Sequence, residues 1–74
     1  MQDRIEMKTV SSSMIDSVGY NAKNQKLAVR FRNKSLYYYF DVPVEHYRAM
    51  TDGGVSVGSY FINNIKNSYR YVKA

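Results

Sequence analysis

Three consecutive tyrosines, Tyr37, Tyr38 and Tyr39, stand close behind Arg30, Arg32 and Lys34. An aromatic ring on a strand can stack a nucleobase, and flanking guanidiniums can contact phosphate. The plainer role for Tyr38 and its neighbour Leu36 is to cover a sheet face or pair with another copy of the chain. A second series, Asn63, Lys66, Asn67, Arg70 and Lys73, is polar and net basic. It could track a nucleic-acid backbone, or serve as a solvated helix face. A third, Ser56, Gly58 and Ser59 in "SVGS", could hold phosphate on free backbone amides where a helix begins; ordinary capping is its plainer role. Catalytic groupings do not emerge. The serines at 11–13 have no base in a recognisable arrangement, and His46 beside Glu45 reads as a surface residue. Asp16, Asp41 and Asp52 lack carboxylate-pair or metal-loop spacing, and cysteine is absent. The expectation is a non-enzymatic module with no metal and no cofactor.

Eleven Lys and Arg against six Asp and Glu give a formal charge of +5. In so short a chain this balance points to a polyanionic partner, with solubility as the bland alternative. A chain of 74 residues is one small domain, marginal unless its core is well used. No apolar run approaches the ~20 residues of a membrane span, and no secretory signal opens the chain. A soluble, cytoplasmic protein without membrane contact is expected.

Strands and helices must position these residues. Residues 1–9 form a lead-in that pairs at a sheet edge or stays mobile; residues 10–74 form the domain. A strand is expected over Met14 to Tyr20, with Gly19 marking a bulge or the close approach of another backbone. "KLAVRFR" alternates Leu27, Val29 and Phe31 with Ala28, Arg30 and Arg32, one face apolar and the other basic. The tyrosine strand follows from Ser35 to Asp41. Pro43 opens a helix that puts Val44, Tyr47 and Met50 on one face, and "DGG" at Asp52 ends it. From Ser56 as N-cap, Val57, Phe61, Ile65, Tyr69 and Val72 make the stripe of a second helix. The fold class is α+β: a three-stranded antiparallel meander followed by two helices packed on one face of the sheet.

Taken in order, "SSMIDSVGY", "LAVRF", "YYYFDVP" and "SVGSYFINNIKNSY" resemble the KTSC domain family. That small domain is found alone in bacteria and phages and at the C-terminus of some lysyl-tRNA synthetases. The synthetase association implies RNA binding. Two departures stand out. The family usually has glycine where Lys34 stands, and a polar residue where Tyr38 stands.

The face each tyrosine takes depends on register. A two-residue "NK" turn pairs Phe31 with Leu36 and sets Leu36, Tyr38 and Phe40 beside Leu27, Val29 and Phe31. A bulged "RNK" turn pairs Phe31 with Ser35 and sets Tyr37 and Tyr39 there instead, with Tyr38 outside beside Arg30 and Arg32. The family's Y-x-Y with a polar middle favours the second. The leading functional expectation is nucleic-acid binding, RNA ahead of DNA, through this basic and aromatic surface. The alternative is a protein-interaction module that binds a host protein or self-associates, as monomer or homodimer.

Overall fold

The computed structural model describes residues 5–10, 12–52 and 56–74. Five strands, β1 (Met7–Thr9), β2 (Ile15–Asn21), β3 (Lys26–Phe31), β4 (Leu36–Tyr39) and β5 (Tyr71–Lys73), form one antiparallel sheet in chain order. Between β4 and β5 come α1 (Val44–Thr51) and α2 (Val57–Asn64). Pro43 is the N-cap of α1, its carbonyl accepting the His46 amide at 3.1 Å. The expected glycine ending of α1, Gly53 and Gly54, lies outside the described residues.

The α+β class holds, but the sheet has five strands rather than three. The first addition comes from the lead-in. Met7 pairs with Gly19, and a Cβ on Gly19 would stand 2.6 Å from the Glu6 carbonyl oxygen and 2.5 Å from Ile5 Cγ2. The glycine is therefore what admits β1 to the edge, while the bulge in β2 falls between Ile15 and Ser17.

The second addition corrects the long helix expected from Ser56 to Val72: α2 stops at Asn64. Asn63, Asn64, Asn67 and Ser68 are weak helix formers that favour local side-chain bonds; Asn64 Nδ2 indeed donates to Tyr60 O at 3.1 Å. The Lys66 amide reaches back to Phe61 O, and the chain turns through Ser68, whose amide donates to Ile65 O. Steps of four also drift about 40° each around a 3.6-residue helix, so Tyr69 could not have stayed above Val57. Beyond the turn, Tyr71 and Val72 have strand propensity and pair with Tyr39 and Tyr38.

The β3–β4 hairpin takes the bulged register. Leu27, Ala28, Val29 and Arg30 pair with Tyr39, Tyr38, Tyr37 and Leu36. The Phe31 amide donates to Ser35 O and the Lys34 amide to Phe31 O, both at 2.9 Å, with Lys34 left-handed at φ 73°. The Asn33 side-chain oxygen takes the Ser35 amide at 3.0 Å. Alternation then sends Tyr37 and Tyr39 to the inner face with Leu27 and Val29, and Tyr38 to the outer face with Lys26, Ala28 and Arg30.

Both helices cover the inner face. Tyr47 of α1 stacks on Tyr20 at 5.5 Å between ring centroids, and Phe61 of α2 meets Phe31 and Tyr39 edge-on at 5.5 and 5.4 Å. Ile15, Val18, Leu27, Val29, Val42, Met50 and Ile65 complete a core with essentially no exposure. Tyr20, whose hydroxyl donates to Val42 O at 2.6 Å, ties the segment after β4 to the sheet. Burial, helped by the nearby Glu45 charge, raises its phenol pKa.

Tyr39→Ala is expected to lower unfolding free energy by about 3–5 kcal/mol, and Tyr38→Ala by about 1 kcal/mol or less. Chemical denaturation of the pair checks the register, and the reverse order would overturn it. Lys34→Gly removes the strain of a left-handed side-chain-bearing residue and should stabilise the domain by about 1 kcal/mol. A lower melting temperature in this variant would count against the bulged turn.

Candidate functional site

The sheet and α2 do not close on each other along their whole length. Beside Phe61 they leave a cleft of about 340 Å³, at the small end of ligand pockets, which run from about 300 to 1,000 Å³. Its sheet wall is aromatic: Phe31 from β3, Tyr37 and Tyr39 from β4, Tyr71 from β5. The rings interlock. Phe31 meets Tyr37 edge-on at 5.4 Å, and Tyr71 lies tilted 5.7 Å from Tyr37 and 5.3 Å from Tyr39. Tyr71 stays 54% exposed and Ile62, across the mouth on α2, 46% exposed. Lys66 and Asn67 border the cleft on the helix side, and Asn33 and Ser35 at the hairpin end. Tyr39 is only 3% exposed at its floor. Burial, and next the neighbouring Tyr71 and Tyr37 phenols, push its pKa up to about 12, so its hydroxyl stays neutral at physiological pH.

The residues singled out from sequence fall into separate groups. Tyr38 and Arg30 do share the outer face, in a shallow groove with Lys26, Leu36 and Met7. The Tyr38 ring is not a free platform, because the Lys26 ammonium lies 5.1 Å from its centroid and 5.9 Å from that of Phe40. Arg32 is not beside Tyr38. Its Nε donates to Ser12 O at 2.9 Å, which turns it to a polar groove shared with Ser56, Gly58 and Ser59. Ser56 is the N-cap of α2, but its hydroxyl caps no amide. The helix start alone does not make an anion site. Lys34 is exposed at the hairpin tip.

Asn63, Lys66, Asn67, Arg70 and Lys73 are all exposed but do not form one helix face. Asn63 lies on α2, Lys66 and Asn67 in the turn after it, Arg70 just before β5 and Lys73 within it. Lys73 pairs with Tyr37 and Tyr71 with Tyr39, so both point to the side of the sheet that carries the cleft.

Sequence reasoning missed the cleft residues Phe31, Tyr37, Ile62 and Tyr71 as site candidates. The aromatic alternation of Tyr69 and Tyr71 around Arg70 was the available signal for Tyr71. It also missed His46, which is half-buried rather than a plain surface residue. His46 Nδ1 lies 2.7 Å from the Tyr60 hydroxyl and Nε2 3.0 Å from the Tyr69 hydroxyl, clasping α1 to α2 and to the turn that leads into β5. Among the described residues, no group of three or more His, Asp or Glu could hold a metal ion, and no helix is long and apolar enough to cross a membrane.

A protein of Tsukamurella paurometabola is 33% identical to this chain over 66 residues, covering 89% of this chain and 97% of that protein. The crystal structure of a KTSC domain protein from Yersinia pestis superposes with a TM-score of 0.89 at 32% identity, covering 96% of this chain and 99% of the other. The KTSC domain model matches residues 11–69, a span that takes in β2 to β4, both helices and the His46 partner Tyr69, and the chain belongs to the KTSC domain family.

Proposed function

We propose that this domain is a non-catalytic binding module for single-stranded nucleic acid, RNA ahead of DNA, with the cleft between β4–β5 and α2 as its base-binding site. The carrying observation is the half-exposed Tyr71 ring at the mouth of an aromatic-walled cleft bordered by Lys66. Bases that are unstacked can lie on such a ring whatever their sequence, at about 1–3 kcal/mol per base. The 5.7 Å between Tyr37 and Tyr71 leaves no room for a base between them, so a base docks against Tyr71 from the mouth. Lys66, Arg70 and Lys73 would then take the flanking phosphates, and the +5 charge favours encounter.

The outer sheet face supports a second reading, a protein-interaction or self-association surface. Val72 is 49% exposed there, on the same face as Leu36 and Tyr38. The two readings differ in salt response, because phosphate contacts release counterions and an aromatic interface does not.

Anisotropy titrations of labelled single-stranded RNA over a salt series test the proposal. Tyr71→Ala should cost about 1–3 kcal/mol of binding while the fold is kept. Binding equal to wild type would remove the cleft from the interface. Lys66→Glu with Arg70→Glu should weaken all sequences alike and make the log–log salt slope shallower by about 2. An unchanged slope would move the phosphate path elsewhere. If no RNA binds and sedimentation shows a dimer broken by Val72→Glu, the self-association reading replaces this one.

A further inference from the structure

The aromatic cleft does not end at Ile62. Met14 and Ile62 line both the cleft and the polar groove that holds Arg32 and Ser59. The two hollows therefore adjoin across one uncharged saddle and make a single groove along α2. Ser59 and Ile62 sit one turn apart on that helix, and Lys66 follows in the turn after it. An eight-residue helix is about 12 Å long. Successive phosphates of one strand advance by about 3.4 Å along a duplex, so the groove takes a run of nucleotides rather than one. Its wall opposite α2 is fixed. The Ser12 hydroxyl accepts the Met14 and Ile15 amides at 3.1 and 3.2 Å, and the Arg32 amide donates to Met14 O at 3.0 Å. The Arg32 guanidinium is held through Nε on Ser12 O, and its terminal NH₂ groups are donors suited to a phosphate. Among the described residues no Asp or Glu lines either hollow, whereas Glu45 and Asp52 line the groove beside α1.

We propose that a single-stranded nucleic acid runs along α2 from the aromatic cleft, over the Met14–Ile62 saddle, to Arg32, which takes a backbone phosphate beyond the base that lies on Tyr71. The inference rests on the nucleic-acid reading above and gives that site a second end. Lys66 meets the backbone beside the cleft and Arg32 meets it at the far end. Between them the exposed Ile62 and the adaptable Met14 side chain offer apolar contact to a sugar or a base. Cations that track the backbone and apolar surface that takes the bases are what sequence-tolerant single-strand binding needs. The same carboxylate-free lining keeps a polyanion in this groove and away from the one beside α1.

Anisotropy titrations of a labelled uridine octamer over a salt series test the path in single variants of the full chain. Arg32→Gln should weaken binding about ten-fold and make the log–log salt slope shallower by about 1. Ser59→Glu sets a carboxylate into the polar end of the groove from an exposed position in the first turn of α2, where an acidic side chain favours the helix. It should also weaken binding about ten-fold. Lys23→Gln makes the same change in net charge at the exposed turn before β3, the opposite end of that strand from Arg32. It should stay within about two-fold of wild type, because distant exposed charges are screened. If Arg32→Gln and Ser59→Glu both match Lys23→Gln, the path along α2 is overturned, and the cleft reading stands or falls on Tyr71→Ala alone. A loss in Arg32→Gln without one in Ser59→Glu makes Arg32 a brace for the Ser12 loop and overturns its phosphate role. A loss in Ser59→Glu without one in Arg32→Gln overturns that role as well. Failure of the octamer to bind the wild-type chain overturns this inference together with the reading it rests on.

Discussion

The three-residue turn between β3 and β4 fixes which tyrosines meet α2. Lys34 in a left-handed conformation closes that turn, and the pairing of Val29 with Tyr37 and Leu27 with Tyr39 follows. A slip of one residue would turn Leu36 and Tyr38 inward and move both cleft tyrosines to the opposite face. The T-shaped contact of Tyr39 with Phe61, the seat of Tyr71 and the cleft itself all presuppose that register. A side-chain-bearing residue held at positive φ costs free energy, and the aromatic packing that this register permits offsets it.

Core and candidate site are built from the same rings. Phe61 touches Phe31 and Tyr39 on its buried side, and those residues also wall the cleft. A domain of this size has few residues to spare, so stability and recognition are not assigned to separate parts of the chain. The helices are held to the sheet by apolar packing and to each other by the tyrosine clasp on His46. Truncation of the enclosed rings Tyr39 and Phe61 therefore acts on folding, whereas the half-exposed Tyr71 can lose its ring with the fold kept.

Where a local rule dominated, the sequence was legible. The alternation of "KLAVRF" marks β3 and its inward face, Gly19 marks the close approach of β1, and Pro43 marks the start of α1. The bulged register was one of two that the residues allowed, and the family's spacing of tyrosines favoured the one found. What stayed hidden depends on tertiary context. An apolar stripe at steps of four and three looks helical until the asparagines after Ile62 are weighed, and β5 acquires its conformation only by pairing with β4. Three residues of β1 carry too little pattern to declare themselves. His46 gave no hint of its role, because both of its partners lie far along the chain. The cleft was partly visible, since Lys66 and Asn67 were picked out, but its aromatic wall required knowing that Tyr71 returns to the sheet.

That return has a kinetic meaning. Strands β1 to β4 pair with their chain neighbours through short connections, so their closure entropy is small. Strand β5 pairs with β4 only after both helices have intervened, and it adds just three residues to the sheet edge. Contacts separated by so much chain carry a larger closure cost and are expected to form later in folding. The meander can therefore exist with its last strand detached, and in that state Tyr39 and Tyr37 lose the ring that flanks them. The half of the cleft contributed by Tyr71 is thus expected to assemble after the β2–β3–β4 meander during folding.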